Sequence, residues 1–254
     1  MGGTVTVDRR GQVLVITLDR PARRNAVDGA TARALAAAVD DLDADPTLAV
    51  GVLTGAGGTF CSGMDLGAFL TGDLPEVPGR GFGGITRRPP ETPLVAAVEG
   101  YALAGGCELA LACDLVVAAE DAVFGIPEVT RGLFAGSGGL LRLPRRIPPA
   151  IALEHALTGD PLPAVEGARW GLVNRLTPPG GALAGALELA ERIARNGPLA
   201  VRVTKHVVQT APEWPADEVW DRQQVLLDQV MGSDDAREGA RAFAEKRPPV
   251  WTGR

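Results

Sequence analysis

Apolar positions along this chain fall into two rhythms. In the first part, short runs rich in β-branched and other apolar residues recur: QVLVITLD (Gln12–Asp19), LAVGVLTGAG (Leu48–Gly57), PLVAAVEG (Pro93–Gly100) and DLVVAAED (Asp114–Asp121). Runs of that length and composition predict buried strands. Between them lie helical stretches. Asp28 can cap a helix over GATARALAAAVDDLDAD, GTFCSGMDLGAF bends into a short helix, and Ala104–Cys113 reads as a helix without a polar face. Strands separated by helices imply an α/β core. Thr71 to Pro93 is rich in Gly and Pro and has no periodicity, which predicts a mobile loop over a site. After FGIPEVTRGLFAGSGGLLRLPRRIPP the rhythm turns helical. Candidate helices are Pro148–Thr158, Ala164–Arg169, Ala182–Arg195, Ala200–Thr210, Asp217–Met231 and Asp234–Lys246. The expected organisation is a core over residues 1–195 and a helical region over 196–254.

Composition narrows the class. The 254 residues are 46% hydrophobic and 22% charged, which suits a packed globular chain. Aromatics are only 4% while Ala and Gly are abundant, so the interior should rely on close contact of small side chains. The net charge of -6, with no basic stripe, argues against a nucleic-acid partner. No window reaches the roughly 18 apolar residues of a membrane span. MGGTVT loosely fits a myristoylation pattern, but the residues that follow read as an ordinary strand. Cys61, Cys107 and Cys113 form no CxxC pair, and the N-terminus has no long apolar stretch; free thiols in the cytoplasm are expected. His155 and His206 stand far apart and read as ordinary helix residues, so no metal site is expected.

Several chemistries find no motif. GAGGTF fails the GxGxxG pattern at Phe60, no GxxxxGK[ST] occurs, and neither Ser62 nor Ser137 (in AGSGG) lies in GxSxG. Backbone and carboxylate chemistry remains. Glu108 lies inside the apolar helix, where an ionised carboxylate costs several kcal/mol unless compensated. Gly105 and Gly106 open that helix, where N–H groups are unpaired and the dipole is positive. A second glycine turn, TFCSGMDL, also follows a strand and opens a helix. Either turn alone could serve only to reverse the chain. Two such donors facing one point would form an oxyanion hole. Glu128, in GIPEV, is a second carboxylate in an apolar setting, though alone it could be an exposed loop acid.

These residues resemble the crotonase superfamily, the enoyl-CoA hydratase/isomerase family. The resemblance runs through LDRPARRNAVD, GTFCSGMDL, PLVAAVEGYALAGGCELALACD, FGIPEVTRGLFAGSGGLLRLPRRI, ALTGDPLPAVEGARWGLVNRL and DDAREGARAFAEKRPPVW. It implies an α/β fold of the ClpP/crotonase type: a spiral of repeated ββα units with a helical C-terminal trimerisation region. It implies an acyl-CoA thioester substrate, with coenzyme A belonging to the substrate and no separate cofactor. By position, the N–H groups of Met64 and Gly105 should form the oxyanion hole, and Glu108 and Glu128 should be the acid/base pair. Around them, Arg23, Arg24, Ala26, Cys61, Ser62, Gly63, Asp65, Leu66 and Gly106 should contact CoA or substrate. Many relatives carry a lysine where this chain has PARRNA; Arg23 and Arg24 either keep a cationic contact or form a solvated pair. Phe243 and Lys246 either reach CoA bound to a neighbouring subunit or sit on a purely structural helix. Asp235 and Glu238 fit a capping box on that last helix.

The resemblance implies an enoyl-CoA hydratase, a lyase of fatty-acid metabolism, because both carboxylates are retained. PEVTRGLFAGSGGLLRLPRRIP also resembles the branch containing crotonobetainyl-CoA hydratases. Other crotonase-type lyases, an enoyl-CoA isomerase and a non-catalytic acyl-CoA-binding protein stay open. Apolar positions after Asn196, among them Val201, Val207, Trp220, Val225, Leu226 and Val230, are more than a small appendage can bury alone, so a homotrimer or dimer of trimers is expected.

Overall fold

The computed structural model describes residues 3–254, so the myristoylation pattern at Gly2 lies outside the described residues. The chain begins with strands β1 (Val5–Arg10) and β2 (Val13–Leu18), then helix α1 (Gly29–Ala44) and strand β3 (Val50–Gly55). Helix α2 (Leu66–Leu70) and a short hairpin, β4 (Glu76–Val77) and β5 (Gly81–Phe82), follow. Next come β6 (Leu94–Val98), β7 (Tyr101–Leu103), α3 (Gly105–Ala112), β8 (Leu115–Ala119) and β9 (Val123–Gly125). Then α4 (Gly139–Arg146), α5 (Pro149–Thr158), β10 (Leu162–Pro163), α6 (Ala164–Trp170), β11 (Arg175–Thr177) and α7 (Ala182–Ala194) complete the α/β part. Helices α8 (Pro198–Thr210), α9 (Val219–Met231) and α10 (Asp234–Glu245) end the chain.

The large sheet has the order β1-β2-β3-β6-β8-β11. Only β1–β2 is antiparallel; the other pairs are parallel, with Val15 opposite Val52 and Val52 opposite Val95. A second sheet, β10-β9-β7, takes one short strand from each successive turn of the chain: β6 leads to β7 and β8 to β9. This stepping between two sheets is the spiral that the resemblance implied. The period-two pattern of the strands separates two cores. Val13, Val50, Val52, Val95, Ala97 and Val117 face α7, whose Ala182, Ala186, Ala190 and Ala194 recur every four residues along one stripe. The alternate strand positions, including Ile16, Leu18, Leu53, Ala96 and Val116, pack in a larger core with Leu35, Val39 and Leu42 of α1 and Leu109 of α3.

The structure departs from the sequence pattern at helix α4, which no expected helix covers, and in three other places. Thr71–Pro93 is not a free loop: it contains the β4–β5 hairpin, Phe82 is 4% exposed and Ile85 fully buried. The expected capping box at Asp235 and Glu238 is absent. Ser233 is the cap, accepting from the N–H of Ala236 at 3.0 Å. Buried Asp235 instead accepts from the N–H groups of Thr252 and Gly253, and Glu238 pairs with Arg247. Both acids therefore fasten the C-terminal tail. Third, the strands β7, β9, β10 and β11 have no counterpart in the hydrophobic pattern.

Helix α8 is moored to the core by Lys205, whose ammonium lies 2.7 Å from Asp114 and donates to the carbonyl of Pro90 at 2.6 Å. No residue of α8 or α9 is buried within the chain, and Val208, Trp220, Val225 and Met231 are among the exposed side chains.

Candidate active site

Helix α3 starts where β7 ends, with Ala104 between them at φ 51°, ψ -127°. A residue other than glycine in that region stores about 1–3 kcal/mol of strain, which persists only when the surroundings dictate it. Two neighbours do so. A Cβ on Gly105 would meet the Phe82 ring at 2.3 Å, and one on Gly106 would meet the Cys61 carbonyl oxygen at 2.1 Å. The Gly-Gly pair is therefore required by packing.

The stretch Cys61–Asp65 runs between β7 and the chain before α1. Cys61 bridges to Ala102 and Met64 to Val27, both in parallel. At the second bridge, Val27 donates to the Gly63 carbonyl at 2.8 Å and accepts from the N–H of Asp65 at 2.9 Å. That pairing uses the groups flanking Met64 and leaves the N–H of Met64 on the side away from Val27. The two turns abut: a Cβ on Gly63 would lie 3.2 Å from the Gly105 nitrogen. Among the described residues, neither the Met64 nor the Gly105 N–H donates to another protein group.

A cavity of about 470 Å³ opens beside these donors. Its wall includes Ser62, Met64, Leu66, Phe82, Gly105, Glu108, Glu128, Arg131 and Ser137. Glu108 is 3% exposed. Its Oε1 accepts from the N–H of Ser137 at 2.7 Å and of Gly139 at 2.9 Å. Burial pushes its carboxyl from the ordinary 4.5 up to about 7, against the pull of those two amides; the neighbouring Glu128 adds to the rise, and Arg142 opposes it. Glu128 lies in the 3-10 turn Pro127–Arg131. Its carboxyl is also raised, chiefly by burial, with Arg131 opposing, and its Oε2 is buried without a hydrogen-bond partner. Two carboxyls that burial holds above the ordinary range thus share a cavity with two undirected N–H donors. Such a set can steady a developing oxyanion and exchange protons at neighbouring atoms.

The other expected site residues divide. Ser62 and Leu66 line the cavity with Met64 and Gly105. Cys61, Gly63, Ala26 and Gly106 do not; Cys61 and Ala26 are buried, and Gly106 is fixed by its contact with Cys61. Asp65 is committed elsewhere, capping α2 through the N–H of Gly67 and pairing with Arg20 at 2.9 Å. Arg23 and Arg24 are exposed beside the cavity's Ser62, whose N–H donates to the Arg24 carbonyl at 3.0 Å. Phe243 and Lys246 stand exposed at the end of α10 and do not reach the cavity of their own chain.

Sequence reasoning missed several contributors. Arg20 binds Asp28 and Asp65, each at 2.9 Å, and the Ala26 carbonyl, which holds the Arg23–Val27 segment against the Met64 turn. Ser137 and Gly139 act through backbone N–H groups, which leave no signature in side-chain identity. Arg142, largely buried, donates to the Thr86 carbonyl and lies against the turn that holds Glu108. Glu76 is a third carboxylate on the cavity wall.

A model of the family described as enoyl-CoA hydratase/isomerase matches residues 8–254. The chain is 43% identical to a carnitinyl-CoA dehydratase of Salmonella typhi over the full length of both. Among solved structures it is similar to an enoyl-CoA hydratase from Mycobacterium tuberculosis, with 57% identity, full coverage of both chains and a TM-score of 0.98. It is also similar to a carnitinyl-CoA hydratase from Mycobacterium avium, with 44% identity, full coverage of both chains and a TM-score of 0.80.

Proposed function

The chain belongs to the enoyl-CoA hydratase/isomerase family, and from that premise we propose that it adds water across the double bond of a trans-2-enoyl-CoA thioester. The observation that carries this reading is the pairing of Glu108 and Glu128 on one cavity wall with the undirected N–H groups of Met64 and Gly105. In this reading the thioester oxygen lies between the two N–H groups. Glu108, fixed through one oxygen by Ser137 and Gly139, keeps its second oxygen for a water molecule. As Glu108 takes a proton from that water, the hydroxide oxygen bonds to the β-carbon. The electron pair of the double bond moves onto the thioester oxygen, where each donor is typically worth ~10²–10³ in rate. Glu128 then returns a proton to the α-carbon. The two carboxyls carry one proton between them at the start of the cycle, so their apparent titration belongs to the pair.

An isomerase would need only one proton shuttle, so two raised carboxyls favour hydration. The reaction needs no cofactor beyond the CoA of the substrate. Arg23 and Arg24, exposed next to Ser62, are suited to the CoA phosphates. We also infer a homotrimer or dimer of trimers, supported by α8 and α9, which bury no residue within one chain, and a cytoplasmic location, supported by the free thiols of Cys61, Cys107 and Cys113. Among the described residues, no helix is long and apolar enough to cross a membrane.

The test is Glu128→Gln assayed by loss of the conjugated-thioester absorbance of crotonyl-CoA. Hydration should fall by roughly 10²–10⁴-fold, with acyl-CoA binding retained by calorimetry. Turnover near wild type would sink the assignment. Formation of a 3-enoyl product in place of the 3-hydroxy thioester would favour the isomerase.

A further inference from the structure

Hydration uses two carboxylates, but the cavity has three. Glu76 stands on β4, on a wall that also carries Leu74, Pro75, Phe82 and Phe134. Among the described residues it forms no ion pair. Its protein donor is the Ser137 hydroxyl at 3.4 Å, a long hydrogen bond. Ser137 holds Glu108 through its backbone N–H, so the clamp on Glu108 does not require this contact. Arg131 is the cation of the cavity wall, and its charge acts on Glu128.

A hydrocarbon acyl chain gains nothing from a carboxylate in the wall and must displace water from it. An acyl group whose far end bears a fixed positive charge gains attraction to the carboxylate. It can also rest against the face of Phe134, which is exposed. A quaternary ammonium suits this wall, because it has no N–H to satisfy and an apolar surface that the leucine, proline and phenylalanines can cover. We propose that Glu76 is the residue that selects the acyl group, favouring thioesters with a fixed cationic end over neutral ones of the same length. The proposal rests on the hydratase reading for its reaction, but not for its binding preference.

The test uses a matched pair, carnitinyl-CoA and 3-hydroxybutyryl-CoA, which differ only by a trimethylammonium group in place of a terminal hydrogen. The readout is the ratio of kcat/KM for their dehydration. The wild-type protein should favour the cationic thioester at least tenfold, and less so as salt rises. Glu76→Gln should reduce that ratio at least tenfold, and Glu76→Lys should invert it. A wild-type ratio near one, or a ratio unchanged in Glu76→Gln, overturns the proposal while leaving the hydratase reading intact. If neither thioester is dehydrated nor the corresponding enoyl thioester hydrated, the hydratase reading falls, and binding of the same pair by calorimetry decides the role of Glu76. Tighter binding of the cationic thioester, lost in Glu76→Gln, upholds it; equal binding overturns it. Circular dichroism of the variants identifies any that fail to fold. In that event Glu76→Ala is measured in their place: a cationic preference reduced at least tenfold upholds the role of Glu76, and one left unchanged overturns it.

Discussion

Replacing Glu108 by Gln should make the protein more stable at alkaline pH while removing its activity. Both clamp bonds, from Ser137 and Gly139, end on the same carboxylate oxygen. Glutamine can keep both on its amide oxygen and direct its NH₂ toward the cavity. The difference lies in ionisation. The folded carboxyl titrates at about 7 against an ordinary 4.5, so below the lower value both folded and unfolded chains hold the proton and the group makes no difference. Between the two values the unfolded chain gives up its proton first, and stability falls as pH rises; above about 7 the whole cost is present. At about 1.4 kcal/mol per unit, that cost comes to roughly 2–3 kcal/mol between pH 5 and pH 8. Glutamine does not titrate, so its stability relative to wild type should rise by that amount over the same range. For a chain of this size the gain is about 4–12 °C in Tm. Scanning calorimetry of both proteins at pH 5 and pH 8, at equal chain concentration, measures it. Hydration of crotonyl-CoA at pH 8 should meanwhile drop by roughly 10²–10⁴-fold. A Tm difference that stays constant from pH 5 to pH 8 would refute the perturbed carboxyl, and a variant with wild-type turnover would refute its role as base.

Arg142→Met removes the positive charge that steadies ionised Glu108, so the acid limb of the kcat/KM profile should move to higher pH, with Arg142→Lys restoring part of the shift; an unmoved limb would leave Arg142 a packing residue only. Gly106→Ala should cost at least ~2 kcal/mol in denaturant unfolding, because its Cβ would lie 2.1 Å from the backbone oxygen of Cys61; a cost under about 0.5 kcal/mol would mean the turn is free to shift. Light scattering should give a trimer or hexamer at micromolar concentration, and deletion of residues 232–254 should weaken CoA binding; a fully active monomer would refute the assembly.

Much of the site could be read from the chain because its parts violate local rules. A glutamate in an apolar helix, glycines at two strand-to-helix turns and an acid after Pro127 are each anomalous, and together they marked one cavity. The capping of α1 by Asp28 was legible for the ordinary reason that its side chain accepts from the Thr31 N–H at 2.8 Å. The strands β7, β9, β10 and β11 were not legible, since two or three residues cannot display a period of two. Asp235 misled because its spacing to Glu238 fits a cap, while tertiary contact with the C-terminal tail uses it first. Thr71–Pro93 misled for a related reason. Its glycines Gly81, Gly83 and Gly84 all adopt positive φ and look like loop residues, yet that backbone folds Phe82 and Ile85 inward.

That inward Phe82 changes the meaning of the Gly-Gly pair. From sequence, Gly105 and Gly106 could either turn the chain or admit a ligand close to the backbone. Neither glycine has positive φ; the strained residue is Ala104, just before them. What excludes a side chain is packing on both sides, with the Phe82 ring over Gly105 and the Cys61 carbonyl under Gly106. With both sides filled, the start of α3 cannot rotate to give its first N–H a partner in the protein. The same Cys61 carbonyl accepts from the N–H of Leu103 at 3.0 Å, and Met64 is held three residues further on by its bridge to Val27. The two N–H groups of the proposed oxyanion hole are thus fixed by one shared set of contacts. A larger residue at Gly105 would displace Phe82 from the start of α3, and with Phe82 it would move Glu76, its partner across the β4–β5 hairpin.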